Sequence, residues 1–279
     1  MSSLFDERQC QLGEGPLWHP ERQQLFWFDI LNKQLLTREN GTPKFWQFDE
    51  YVSAAGWVSQ TELLVASASR FFVFNLESET SRKICDLEAD DAVTRSNDGR
   101  ADPRGGFWIG TMGFNAEPGA GSIYRFYKGE LRKLFADITI SNAISFSPDG
   151  TTAYFADTDK QTIQKVALDE EGWPAGSPML FTDLSLSGHY PDGAVVDSEG
   201  HLWNAQWGAS RVARYAPNGQ FVSEVSLPAS QVSCPSFGGA DLQTLFATTA
   251  AVDLDEEAEG RTYFAQTSVR GQAEHRVIL

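Results

Sequence analysis

The sequence predicts an all-β chain folded as a six-bladed β-propeller. Three observations lead there: short aromatic runs, turn chemistry between them, and a unit that restarts six times. The runs Leu25-Phe-Trp-Phe-Asp-Ile30, Glu62-Leu-Leu-Val-Ala-Ser67 and Phe71-Phe-Val-Phe74 are too short and too aromatic for helices. Gly106-Phe-Trp-Ile-Gly110, Ala153-Tyr-Phe-Ala156 and His201-Leu-Trp-Asn204 are of the same kind. Between such runs lie Asn40-Gly41, Pro148-Asp-Gly150, Ser198-Glu-Gly200 and Pro217-Asn-Gly219, the residue types that tight hairpin turns require. No heptad pattern or long amphipathic helix interrupts them.

The repeat reads turn, apolar strand, polar turn, aromatic strand. It restarts near Glu14, Ala55, Asn97, Asn142, Asp192 and Cys234, at the spacing of roughly 40–50 residues expected of propeller blades. Gly121-Ser-Ile-Tyr-Arg125 and Ser210-Arg-Val-Ala-Arg-Tyr215 supply outer strands. Six four-stranded blades use residues 1–279 as one domain, with no linker. A ring of blades closes best when its first and last strands share a blade, so Arg261-Thr-Tyr-Phe-Ala265 is expected to pair with the N-terminal segment.

Composition narrows the function. With 22 basic and 38 acidic residues the formal charge is −16, a field that repels nucleic acid and anionic membranes and attracts cations. The N-terminal residues show no secretory signal, and no apolar run reaches membrane-spanning length. Cys10, Cys85 and Cys234 are far apart and fit reduced thiols in a cytoplasmic protein. A monomer is the default expectation.

In a propeller the innermost strand of each blade lines a central channel, and the residue that opens the strand faces the channel mouth. The six restarts therefore bring together Glu14, Ala55, Asn97, Asn142, Asp192 and Ser233–Cys234. Glu14, Asn97, Asn142 and Asp192 carry side-chain oxygens, a ready set for a divalent cation. Asn, Asp and Gly also serve turns, as Asp149 does in Ser147-Pro-Asp-Gly150. Glu14 is not a turn residue, and its phase with Asn142 and Asp192 raises the group above its members.

Several motifs accompany this pattern: Leu12-Gly-Glu-Gly-Pro-Leu-Trp18, Arg95-Ser-Asn-Asp-Gly-Arg-Ala-Asp-Pro103 and Phe107-Trp-Ile-Gly-Thr-Met112. Ser141-Asn-Ala-Ile-Ser-Phe-Ser-Pro-Asp-Gly150, Pro191-Asp-Gly193, Leu202-Trp203 and Phe237-Gly-Gly239 follow in order. Together, over essentially the whole chain, they resemble the SMP-30/gluconolactonase/regucalcin-like family. The resemblance implies a six-bladed propeller, a metal ion held by Glu14, Asn142 and Asp192, and substrate contacts from Arg95 and Asn97. Some relatives carry a substrate-binding Glu shortly after the Gly-Thr-Met segment. Here the residue in nearest register is Asn115, with Glu117 two further on, a departure that bears on sugar preference.

These expectations amount to a metal-dependent lactonase that opens a sugar lactone to its aldonic acid. Asp192 takes a proton from the attacking water, while Arg95 and Asn97 hold ring hydroxyls or developing negative charge. A salt-paired surface position for Arg95 is the competing reading. Oxygen ligands suit Ca²⁺, Mg²⁺ and Mn²⁺ and admit Zn²⁺ and Fe²⁺. Two other functions stay open: a non-catalytic, metal-binding regulatory propeller, and an esterase or organophosphate hydrolase of the same fold. His19, His189, His201 and His275 are scattered, and there is no nucleophile elbow, phosphate loop or dinucleotide fingerprint. Trp27, Trp57, Trp108 and Trp203 read as core, and Trp207 as a residue beside the channel.

Overall fold

A computed structural model describes residues 2–279. It holds six four-stranded antiparallel sheets. The only helical turn among the described residues is a 3₁₀ turn, Ser185–Ser187. The innermost strands are Gly13–His19, Val52–Trp57, Thr94–Ala101, Ser141–Phe146, Tyr190–Val196 and Val232–Gly238. Each neighbours the innermost strand of the next blade, and the sixth returns to the first, so the sheets close a ring. The chain is a six-bladed propeller.

Closure follows the expected route. Ser3–Asp6 forms the outer strand of blade 6, pairing Leu4 with Tyr263 and Ser3 with Phe264. The first and last strands of the chain thus share one sheet, which ties the ring shut. Sheet faces bury their alternating apolar side chains against the neighbouring blade. Phe26, Phe28 and Leu35 of blade 1 pack with Leu63, Val65 and Phe72 of blade 2. Trp27, Trp108 and Trp203 are buried, as their pattern predicts.

What positions the site is an irregularity shared by the inner strands. Every one shifts register with its neighbour near the mouth end: after Glu14, Val52, Ser96, Asn142, Pro191 and Val232. A bulge of this kind bends the strand and re-aims side chains that would otherwise alternate between the sheet faces. In blade 1 the residue after Glu14 is Gly15 at φ +53°, and a Cβ there would lie 2.3 Å from the Ser53 carbonyl oxygen. Only glycine fits that approach.

The second blade corrects the sequence reading. Its inner strand begins at Val52, so Ala55 sits in mid-strand, and the residue near the mouth is Ser53. The run Val52-Ser-Ala-Ala55 carries no turn signal to mark where the strand begins. Ser53 donates its hydroxyl hydrogen to Ser96 Oγ of blade 3 at 2.7 Å, a buried contact between blades.

Candidate functional site

Glu14, Asn97, Asn142 and Asp192 converge at the channel mouth from blades 1, 3, 4 and 5, joined by Arg95 and Asp98. None of the six is more than 7% exposed. The carboxyl groups of Glu14 and Asp192 lie near enough for their charges to interact, although 178 positions separate them in the chain. Asn97 gives its amide hydrogens to the Ser141 carbonyl at 2.9 Å and to Asn142 Oδ1 at 3.2 Å. Its own Oδ1 accepts from Arg95 Nη1 at 2.9 Å. Arg95 is buried, at 6% exposure, so it is not the surface residue that the competing reading supposed.

Neighbouring elements hold these groups in place. Asn142 donates through Nδ2 to Thr158 Oγ1 at 2.8 Å, and Thr158 donates onward to the Pro191 carbonyl at 2.7 Å. One hydroxyl thereby ties Asn142 to the residue preceding Asp192. The loops that enter blades 1 and 4 are held by carboxylates ending the second strands. Asp29 accepts from the backbone N–H groups of Gln11 and Leu12, and Asp157 from those of Thr139 and Ile140. Asp98 Oδ2 accepts from the Ile144 N–H at 2.7 Å, joining blade 3 to the bulge that follows Asn142.

Thr158, Asp29, Asp157 and Asp98 were not among the expected site residues. Asp29 and Asp157 left a trace in the sequence, since both close an aromatic strand (Phe28-Asp29, Phe155-Ala-Asp157) in the same phase of the repeat. Asp98 stands inside the Arg-Ser-Asn-Asp-Gly-Arg motif, directly after Asn97.

The electrostatics reflect confinement. Burial raises the pKa of Glu14, and the charge of Asp98 raises it further. Asp192 is raised well above the ordinary carboxylate range by burial and then by Glu14 and Asp98. Burial also pushes Asp98 up to about 6. Arg95 is drawn down to about 10 by burial, against the opposing pull of Glu14. Several carboxyl groups therefore share a chamber whose neutralising charge falls short of their number.

The remaining predicted positions lie at the margin. Asn115 is on an exposed mouth loop, where Glu117 accepts from both its backbone N–H at 3.0 Å and its side-chain amide at 2.9 Å. Ser233 is committed to structure, donating to the Gly13 carbonyl beside Thr248. Cys234 is buried close enough to Glu14 and Asp98 for their charges to raise its thiol pKa. Trp207 is half-buried at the mouth end of its strand. Cys10, Cys85 and Cys234 are free thiols.

A second acidic group lies at the other end of the propeller. Asp197, Glu199 and His201 bring one ligand atom each within 4.8 Å of one another in a blade 5 hairpin. Arg214 already sits in this group, 2.8 Å from Asp197 Oδ2 and 2.7 Å from Glu199 Oε2. A surface cleft of about 540 Å³ between blades 4 and 5 opens beside the same hairpin and shares no residue with the mouth group. The convergence of buried, oxygen-bearing side chains makes the channel mouth, rather than this cleft, the candidate site.

Residues 12–251 match the family model described as SMP-30/Gluconolactonase/LRE-like region. The chain belongs to this family. Among its relatives, the L-arabinolactonase of Azospirillum brasilense is 34% identical over 291 residues, covering 99% of this chain and 95% of that protein. The 6-deoxy-6-sulfogluconolactonase of Pseudomonas putida is 32% identical over 272 residues, with 94% of each chain covered. A solved structure of regucalcin from Agrobacterium tumefaciens, described as a calcium-binding protein, superposes with a TM-score of 0.97 at 38% identity. It covers 100% of this chain and 98% of its own. The family match agrees with the motif resemblance found in the sequence.

Proposed function

We propose that the chain hydrolyses a sugar lactone to the aldonic acid at the channel mouth, with one divalent cation held by Glu14, Asn142 and Asp192. The observation that carries this reading is the burial of the Glu14 and Asp192 carboxyls near enough for the charge of one to act on the other, with Asp98 close enough to raise both. Carboxylates gathered in this way either take up protons or share a cation. The donor set fits a hard divalent ion. It offers two carboxylates and an amide oxygen, because Asn142 turns its NH₂ away to Thr158. Three protein ligands leave positions open for water and substrate.

A cation held there would polarise the lactone carbonyl and lower the pKa of bound water. The chain's own residues would do the rest. Asp192 accepts a proton from the water that attacks the carbonyl carbon. The ring C–O bond then breaks, and the proton passes to the departing alkoxide to give the hydroxy acid. Arg95 uses only Nη1 in its hydrogen bonds, to the Ser96 carbonyl and Asn97, so further N–H donors remain for the oxyanion or a ring hydroxyl. On the mouth loop Glu117 engages the Asn115 amide N–H, which leaves Asn115 Oδ1 to accept from a sugar hydroxyl.

The relatives support lactone chemistry, since two carry names of lactonases acting on different sugars. The regucalcin neighbour, described as calcium-binding, supports a cation and is equally compatible with a regulatory propeller. A pH-indicator assay on chelator-stripped protein, with an aldonolactone panel and added Ca²⁺, Mg²⁺, Mn²⁺ or Zn²⁺, separates these readings. Metal-restored turnover is expected, and Asp192→Ala should abolish it while the protein stays folded. Metal binding without turnover of any lactone would favour the regulatory reading or another ester. Near-normal activity of folded Asp192→Ala would remove Asp192 from the mechanism.

A further inference from the structure

The channel has a floor, made by the segment that follows the last strand of blade 6. Arg270 accepts a hydrogen bond at its carbonyl from the Ser198 N–H of blade 5. Gln272 donates to the carbonyls of Phe146 in blade 4 and Val196 in blade 5, at 3.0 and 2.9 Å. The Glu274 carbonyl accepts from Trp57 Nε1 of blade 2 at 2.8 Å, and the Val277 N–H returns to the Trp57 carbonyl. Ile278 donates to the Gly105 carbonyl of blade 3. Val277 is buried over Gly56, where a Cβ would lie 2.5 Å from it. The segment thus crosses the ring from blade 5 to blades 2 and 3 and leaves a cavity of only about 20 Å³ against Arg100 and Glu274.

At the centre of this floor Glu274 forms an ion pair with Arg100, with side chains 6% and 11% exposed. Arg100 stands two positions after Asp98 on the inner strand of blade 3, near enough for each charge to be felt at the other. Asp98 adds negative charge to the mouth group and holds the Ile144 N–H beyond Asn142. A buried guanidinium that loses its carboxylate seeks another. Along its own strand that carboxylate is Asp98.

We infer that Glu274 is a positioning residue: by pairing with Arg100 from below, it keeps that guanidinium off Asp98 and preserves the negative field the channel offers a cation. This inference rests on the metal reading above.

The test is calorimetric titration of Ca²⁺ or Mn²⁺ alone into metal-free full-length protein. Glu274→Gln is expected to weaken binding by about tenfold or more, as one uncompensated buried charge is added. The double variant Arg100→Gln/Glu274→Gln removes both charges and should return affinity to within about threefold of the unaltered chain, since no net charge is then introduced. A merely structural role would let the double variant bind no better than the single one, and that result overturns the inference. Equal binding by Glu274→Gln and the unaltered chain overturns it as well. Should Glu274→Gln not fold, Arg100→Gln, which leaves the Glu274 carboxylate uncompensated beneath the channel, is expected to tighten binding, and unchanged or weaker binding overturns the inference. Absence of binding by the unaltered chain would instead overturn the metal reading itself, and the inference with it.

Discussion

Thr158 accepts the amide hydrogen of Asn142 at 2.8 Å and passes its own hydroxyl hydrogen to the Pro191 carbonyl at 2.7 Å. A single hydroxyl in a blade 4 loop therefore sets which end of the Asn142 amide faces the channel, and ties it to the strand that carries Asp192. Replacing it with valine keeps the shape and removes both bonds. Thr158→Val is expected to weaken divalent-cation binding about 10–100-fold, the usual effect of removing a ligand's orienting partner. Thermal unfolding should shift by only a few degrees, and titration calorimetry checks the affinity.

Gly15 gives a steric prediction. Alanine there would bring its Cβ to 2.3 Å from the Ser53 carbonyl in a left-handed backbone conformation. Gly15→Ala is expected to destabilise the protein by about 2–4 kcal/mol, from overpacking added to backbone strain. Gly41 is the control, because it also has positive φ but meets nothing within 4 Å. Gly41→Ala should cost only ~1 kcal/mol, the strain alone. Equal losses in denaturant unfolding would mean that the Ser53 contact is unimportant.

Asp102 and Arg125 form a fully buried pair at 2.6 Å, and Asp102 also accepts from the N–H groups of Arg104 and Gly106. Asp102→Ala leaves the guanidinium without its carboxylate, at a cost of about 3–5 kcal/mol. The pair lies at the end of blade 3 away from the mouth. Activity per folded molecule, measured at a temperature where the variant remains folded, is expected to match the unaltered chain.

Acid sensitivity should begin near neutrality. His19 is buried, with Nε2 against the Ser59 carbonyl at 2.9 Å and Nδ1 accepting from the Arg22 N–H at 3.3 Å, the pattern of a neutral ring. Burial lowers its pKa, and that of His275, below the ordinary value of 6.5. The unfolded chain then binds protons that the folded histidines refuse, so their contribution to stability is full above about pH 6.5 and falls as pH drops towards the folded pKa values. Each such histidine adds a slope of at most about 1.4 kcal/mol per pH unit. Denaturant unfolding of His19→Gln from pH 7.5 to 5 should show a shallower slope than the unaltered chain, and an identical slope would exclude His19 as a source.

Much of this molecule was legible in its sequence because propeller geometry is periodic. Strand-length aromatic runs and hairpin turns are local signals, and their repetition placed Glu14, Asn142 and Asp192 in one phase before any contact was visible. The closing strand at Arg261–Ala265 was legible for the same reason, as a leftover strand in a ring that needs one more.

The tertiary structure decided whatever the period does not carry. Ala55 was misplaced and Ser53 missed because the bulge in each inner strand shifts phase by a residue, and small residues conceal where the strand begins. Asp98 looked like one polar residue among several in its motif until its bond to the Ile144 N–H placed it between two blades. Thr158 is an ordinary loop threonine until Asn142 and Pro191 arrive on either side. The Arg100–Glu274 pair joins positions 174 residues apart, one of them in a segment with no strand pattern. Hydrogen bonds and ion pairs between distant segments form only when the ring closes, and a linear sequence holds no period that records them.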